Sequence, residues 1–241
     1  MDLRRKKLLS DEKILRKKII EGEFQRELKR KHDYGFTQGN GKTGIRGGLA
    51  EVVYTWNIPY VKTCPGASEL CRQVCYNAAY PRNKNSDENL LAYRYERKKL
   101  MSCLNKVLAR HTNQERVIVR LHSEGDFFSK EYIRFWGEII KANPKVHFWT
   151  YTRSWRVEEL REELEYLDNL DNINLYFSWD ETMSERTEHK KAILTGNIEA
   201  YIKTVDKEKV VCPEQLCLVN GCVNCGICLF NKSSDVVFLI H

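Results

Sequence analysis

The chain predicts an α/β fold, a partial (βα)6-type barrel of parallel strands, with a basic helical arm before it and a cysteine-rich insertion near its end. Two observations carry the barrel: segments dense in Val, Ile and aromatics alternate with segments of helical period, and the successive strand starts at 117, 146, 173 and 200 lie 29, 27 and 27 residues apart, the length of one βα unit. Six such units are too few for a closed eight-stranded barrel. A third observation separates the arm: residues 1–32 hold twelve Lys/Arg against six Asp/Glu, so nearly all of the +7 net charge precedes the body.

The arm, residues 1–34, carries Leu8, Leu9, Ile14, Leu15, Ile19 and Ile20 at helical spacing. Those residues form one face of an amphipathic helix, with lysines that are either solvated or in contact with nucleic acid or another polyanion. A glycine-rich linker is expected over 35–50. It contains Gly39-Asn40-Gly41-Lys42-Thr43, but Phe36 stands where a phosphate-binding loop needs its first glycine, and the segment precedes a strand instead of following one. Lys42 is kept only as a cofactor-binding candidate.

The body, 51–241, is expected as one domain. Strands are expected at Glu51 to Trp56, Val117 to Leu121, Val146 to Thr150, Ile173 to Phe177, Ala200 to Val205 and Val236 to Ile240. Between them, Leu100, Leu104, Val107 and Leu108 mark one helix face, Tyr132, Trp136, Ile139 and Ile140 a second, and Val157, Leu160, Leu164 and Leu167 a third. With 42% hydrophobic residues, 13 Gly and 5 Pro, collagen-like and low-complexity classes are excluded. The absence of an apolar leader or an 18-residue apolar run points to a cytoplasmic protein with no membrane partner.

Nine cysteines without a leader argue against a secreted disulfide framework. Cys222, Cys225 and Cys228 form C-x2-C-x2-C, the spacing of a bacterial ferredoxin run, and Cys212-Pro213 matches the remote fourth ligand. A 4Fe-4S cluster is the leading reading and a structural zinc ion the alternative, with Cys217 a fifth thiol able to replace any of the four. Cys64, Cys71 and Cys75 form C-x6-C-x3-C directly after the first strand. Three thiolates leave one iron of a second cubane open to a ligand, which is a catalytic layout. Zinc completed by a histidine, or buried free thiols, are the competing readings. Cys103, between Met101 and Leu104, reads as core.

Three cysteines in the loop after the first strand of a six-unit βα chain resemble the radical S-adenosylmethionine superfamily, although the spacing there is C-x3-C-x2-C. A closer resemblance is to the phage gene product 88-like family. It runs through Gly39-Asn40-Gly41-Lys42, Thr55-Trp56-Asn57-Ile58-Pro59, Thr63-Cys64-Pro65-Gly66-Ala67, Cys71-x3-Cys75-Tyr76, Gly125-Asp126-Phe127, Phe148 to Ser154, Cys212-Pro213-Glu214 and Cys222-x2-Cys225-Gly226-x-Cys228. It implies an iron-sulfur protein of a phage or mobile element, using S-adenosylmethionine and an electron donor if it is an enzyme, with an unknown substrate.

The resemblance to the radical S-adenosylmethionine superfamily assigns Glu124, Gly125 and Asp126 to binding the cofactor's amino group, where a carboxylate accepts from an ammonium. An ordinary turn and helix cap is the alternative for Gly125-Asp126. His122 is a candidate base or ligand, and Arg153 a candidate fork for a carboxylate or phosphate. Trp149, Tyr151 and Trp155 either stack on a base or form one buried strand face. The rival functional class is a nucleic-acid-binding protein with structural iron-sulfur or zinc sites, contacting phosphates through the arm.

Overall fold

The structure is a computed structural model that describes residues 35–39, 43–44, 52–79, 84–111, 116–197 and 209–240. The arm, Lys42 and the strand expected at Ala200 to Val205 lie outside the described residues. The described chain is mixed α/β. Eight strands make one open, mostly parallel sheet: β1 (Thr37–Gln38), β2 (Val52–Trp56), β3 (Val117–Leu121), β4 (His147–Thr152), β5 (Ile173–Asp180), β6 (Lys191–Thr195), β7 (Lys209–Val211) and β8 (Asp235–Leu239), in the order β1-β2-β3-β4-β5-β6-β8-β7. Only β1 runs antiparallel to its neighbour, pairing Thr37 with Thr55 and Gln38 with Tyr54.

Five of the six expected strands are present within three residues of their expected bounds, the sixth lies outside the described residues, and β1, β6 and β7 are additions. β1 comes from the stretch read as linker. Its neighbour Phe36 is buried against Tyr54, Trp56 and Trp136, and that contact recruits the stretch to the sheet edge. β6 is short and bounded by Lys190, Lys191 and Gly196, so its apolar run of Ala192-Ile193-Leu194 was too brief to stand out as a strand.

Three helices cover one face. They are α2 (Lys84–Ala109), α3 (Lys130–Ala142) and α4 (Glu158–Asp168), preceded by the short α1 (Glu69–Gln73). α3 shows why they form where they do. Ser129 caps it by accepting from the Tyr132 N–H at 3.2 Å, Glu131 lies in its first turn and Lys141 in its last, matching the helix dipole. Its apolar residues recur every three or four positions, so Tyr132, Ile133, Trp136, Ile139 and Ile140 are all buried. α2 breaks helical geometry at Glu96 (φ −131°, ψ 33°).

Alternation along the strands divides the core. Val52, Tyr54 and Trp56 with Val117, Val119, Leu121, Phe148, Ile173, Leu175 and Phe177 face the helices. The opposite face carries Val53, Ile118, Trp149 and Tyr176, and it is covered by the cysteine-rich segment. There α5 (Cys222–Cys225) and α6 (Ile227–Phe230) meet at Gly226, whose φ of 74° is the left-handed conformation that lets two one-turn helices join without a linker. Val223 and Leu229 are the apolar feet of this cover. Among the described residues no helix is long and apolar enough to cross a membrane.

Candidate functional site

Parallel strands end together, and the loops that leave β2, β3, β4 and β5 at their C-terminal ends are fastened to one another. The β2 loop is tied to the β3 loop through Asn57, whose Oδ1 accepts the Glu124 N–H at 3.1 Å, while Ile58 N donates to the Glu124 carbonyl at 3.1 Å. Gly125 (φ 82°) lies so close beneath that loop that a Cβ would fall 2.5 Å from the Ile58 carbonyl oxygen. Gly66 approaches the end of β4 more closely still, since a Cβ there would sit 1.9 Å from the Arg153 carbonyl oxygen. Both positions need glycine for reasons of space.

This fastening fixes where Cys64, Cys71 and Cys75 stand. All three are free and half-buried. Cys71 lies in α1, which is capped by Ser68: the Ser68 hydroxyl accepts the Cys71 N–H at 3.1 Å and donates to Asp180 Oδ2 at 2.5 Å. Burial, with the charges of Asp126, Cys71 and Cys75 beside it, pushes the Cys64 thiol up to about 12. Burial also raises Cys71, with Cys75 and Asp126 adding to the rise and the Arg153 guanidinium opposing it. Cys64, Cys71 and Cys75 therefore lie within electrostatic reach of one another, with Arg153 as the positive group near Cys71.

Arg153 is itself held. Its Nη1 donates to Asp180 Oδ2 at 2.6 Å and lies 3.2 Å from Met183 Sδ. Burial would raise the Asp180 carboxyl, but the hydrogen bonds from Ser68 and Thr182 and the Arg153 charge outweigh it and hold the group below its ordinary value. Asp126 plays the same part from the β3 side. Its Oδ1 accepts from Phe127 N (2.7 Å) and Thr152 Oγ1 (2.6 Å), and its Oδ2 from Arg153 N (2.8 Å). Burial nevertheless raises its pKa to about 6 against those bonds. With its oxygens engaged by the protein, Asp126 positions Arg153 and the end of β4.

The other candidates separate into two groups. Glu124 is buried and accepts from Ser86 Oγ at 2.7 Å, which ties the β3 loop to the start of α2. His122, with φ 61°, turns into the helix-facing core, where Tyr132 Oη lies 3.0 Å from its Nε2 and Trp56 Nε1 donates to that same hydroxyl at 2.9 Å. Burial lowers the His122 imidazole to about 3, so it is neutral and faces away from the thiols. Trp155 is buried, stacked on Phe177 and bonded through Nε1 to the Ser178 carbonyl, so it packs the rim. Ser68 and Asp180 carry the network and had no assigned role from sequence. Ser68 had a readable signal, a serine three residues before the residue it caps; Asp180 had none beyond ending a strand.

The second thiol set lies lower, on the face opposite α2 to α4. Cys228 packs on the same cluster as Tyr151 and Cys222, and burial, with the charges of Cys222, Cys212 and Cys225 adding to it, pushes its thiol up to about 12. Cys212 is buried, in one packed cluster with Tyr176 and Val236. Cys217 is exposed and is not among the thiols facing Cys228. Cys103, half-buried on α2, belongs to neither set. Among the described residues no three His, Cys, Asp or Glu side chains converge closely enough to hold an ion as they stand.

Comparison with known proteins matches the same span. The family model described as Gene product 88 matches residues 25–231, which include both thiol sets. The chain is similar to the Gene 88 protein of Mycobacterium phage L5, at 30% identity over 73% of this chain and 81% of that protein. It is also similar to the Gene 88 protein of Mycobacterium phage D29, at 28% identity over 71% and 80%. No solved structure matches. With most of its length inside the family model, this chain belongs to the gene product 88 family of phage proteins.

Proposed function

We propose that this phage-family protein is an iron-sulfur enzyme of the radical S-adenosylmethionine kind. In this reading the open sheet is curled as a partial barrel in the cytoplasm. Cys64, Cys71 and Cys75 hold a 4Fe-4S cluster with one iron free of protein thiolate, and Cys212, Cys222, Cys225 and Cys228 hold a second. The observation that carries it is the placing of Cys64, Cys71 and Cys75 at the C-terminal edge of a parallel sheet, near enough to act on one another's charge and with Arg153 beside Cys71.

The donor chemistry fits. Cys64, Cys71 and Cys228, raised chiefly by burial, stay protonated unless something takes up their charge, and a metal cluster does so while releasing the protons. When bound, such a cluster supplies one-electron reduction of a sulfonium cofactor. The chain's own contribution is position and dryness. Ser68 and Asp180 set the turn that carries Cys71, Gly66 lets the Cys64 loop sit against β4, and Asp126 fixes Arg153, whose charge offsets thiolates. Trp155 and Phe177 close the helix-facing side of the rim.

Anaerobic purification followed by reduction tests the reading. It requires about eight irons per chain, four for each cubane, and a change in the electron paramagnetic resonance of one cluster when S-adenosylmethionine is added. Zinc without iron would remove both clusters. Iron with no response to the cofactor would remove the radical chemistry and leave the clusters structural, in which case retention on nucleic acid through residues 1–34 becomes the function to measure.

A further inference from the structure

The face of the sheet opposite the helices is closed at one end and open at the other. Val53, Ile118, Trp149, Asn174 and Tyr176 are buried under α5 and α6. One step nearer the C-terminal edge on the same face stand Arg120, Tyr151, Ser178, Leu194 and Phe238, and every one is only half-buried. This open half borders the lower thiol set, since Tyr151 and Cys228 pack on the same cluster.

Arg120 is out of place for packing alone. It interrupts the Val-Ile-Val-Arg-Leu run of β3 and projects from the middle of the sheet. Among the described residues it forms no ion pair, its buried Nε has no acceptor, and its guanidinium lies over the Tyr151 ring at 5.7 Å from the centroid. Trp149, its partner in register on β4, is fully buried, and its Nε1 also lacks an acceptor. Of the two, only the Arg120 donor borders the open half, and a donor without an acceptor costs folding free energy unless a ligand supplies one. Tyr151 and Phe238, edge to face at 5.4 Å, provide an aromatic wall beside them.

We infer that this open half of the sheet face binds an oxyanion-bearing ligand, with Arg120 holding its carboxylate or phosphate and Tyr151 and Phe238 packing against its planar ring. The guanidinium fork matches either anion bidentately, whereas a lysine would offer only a point charge. The inference deepens the proposed reaction by naming the substrate class. Its test does not depend on that reaction, since anion binding needs neither iron reduction nor the sulfonium cofactor.

The probes are benzoate, phenyl phosphate and the cation benzylamine, titrated into the full chain as purified anaerobically, with tryptophan fluorescence and melting temperature as readouts and iron measured on the same sample. Saturable binding of at least one anion and none of benzylamine is expected. Which anion binds more tightly distinguishes a carboxylate from a phosphate ligand. Arg120→Gln should weaken binding about tenfold or more, the loss of a charge-assisted pair, and Arg120→Lys should weaken it less. If Arg120→Gln fails to fold, Arg120→Lys decides: weakened binding supports the site and unchanged binding overturns it. The site is also overturned if the wild type binds neither anion, if benzylamine binds equally well, or if Arg120→Gln binds as the wild type does. A sample that lacks iron yet binds anions through Arg120 sinks the radical reading and leaves this one standing.

Discussion

The two thiol sets occupy the same sheet but are held in different ways. Cys64, Cys71 and Cys75 hang from loops that polar groups fasten to strand ends, namely Asn57 to Glu124, Ser68 to Asp180, and Asp126 to Arg153. Cys222, Cys225 and Cys228 sit on two one-turn helices that stand on apolar feet, Val223 and Leu229, over Val53, Ile118 and Trp149. A polar frame fixes direction with few contacts and leaves the thiols half open. An apolar cover fixes position by excluding water, so its thiols cannot be removed without opening a sheet face. Both sets are half-buried, apart from Cys212, and on the proposed reading the polar-framed rim carries the exchangeable chemistry while the apolar-footed lower set contributes more to the fold.

The largest expected effect follows directly. On the proposed reading, in which the lower set couples metal binding to the cover of a whole sheet face, Cys228→Ser should abolish soluble, metal-loaded protein. Cys75→Ser should leave soluble protein that has lost about half its iron. Iron content, yield and circular dichroism of both variants check this. Equal loss of fold in the two would erase the distinction between the sets.

Gly66→Ala sharpens the comparison at the rim alone. The added Cβ would meet backbone, the Arg153 carbonyl at 1.9 Å, so the Cys64 loop must move away from β4. The rim cluster should be lost while the lower one keeps its spectrum, with a stability cost of about 1–3 kcal/mol, the range of overpacked sites. Gly137→Ala is the control. On α3 its nearest neighbour would be the Tyr166 ring edge at 3.3 Å, which can give way, and helix propensity favours alanine.

Two buried groups at the rim pull stability in opposite directions with pH. His122 is lowered from 6.5 to about 3 by burial, so the unfolded chain takes up its proton first. Its contribution is full above pH 6.5 and is lost as pH falls toward 3. Asp126 is raised from 3.8 to about 6, so its contribution is full below pH 3.8 and is lost as pH rises through 6. Between pH 4 and 6 the two slopes oppose each other. His122→Asn, chosen because asparagine tolerates the φ of 61°, should remove one of them. Its stability relative to wild type should then improve on acidification by about 1.4 kcal/mol per pH unit. Chemical denaturation at pH 4, 5 and 6 reads this, and a constant difference across that range would show that His122 titrates alike folded and unfolded.

Helix faces and central strands were legible because packing writes them as periodicity: Leu160, Leu164 and Leu167 repeat at helical spacing, and Val117 to Leu121 is dense in β-branched residues. The site's parts were less so. The cysteines announce themselves by spacing, but a carboxylate that clamps backbone and one that meets a cofactor look the same in sequence, and only the three donors around Asp126 tell them apart. His122 was likewise read as a candidate base, whereas its side chain turns into the aromatic core around Tyr132. Strand alternation alone would put it on the opposite face with Ile118 and Arg120; the left-handed turn at His122 ends the alternation and sends the side chain into the core. β1 was hidden for another reason: two residues held by edge pairing and a neighbouring phenylalanine have no period to read.

The smallest effect concerns Cys217, which in sequence could stand in for any lower ligand. It is exposed, its φ is 56°, and Leu216 and Leu218 beside it are exposed as well. A non-glycine residue in that conformation is strained by about 1 kcal/mol, and asparagine tolerates it better than cysteine does. Cys217→Asn should therefore keep full iron content and gain a few tenths of a kcal/mol, whereas replacing a true ligand costs the cluster and the fold with it. A melting curve and an iron assay on this one variant decide whether the fifth thiol belongs to the lower set. Lost iron would move Cys217 into the set and displace Cys212, the thiol farthest in sequence from the C-x2-C-x2-C run.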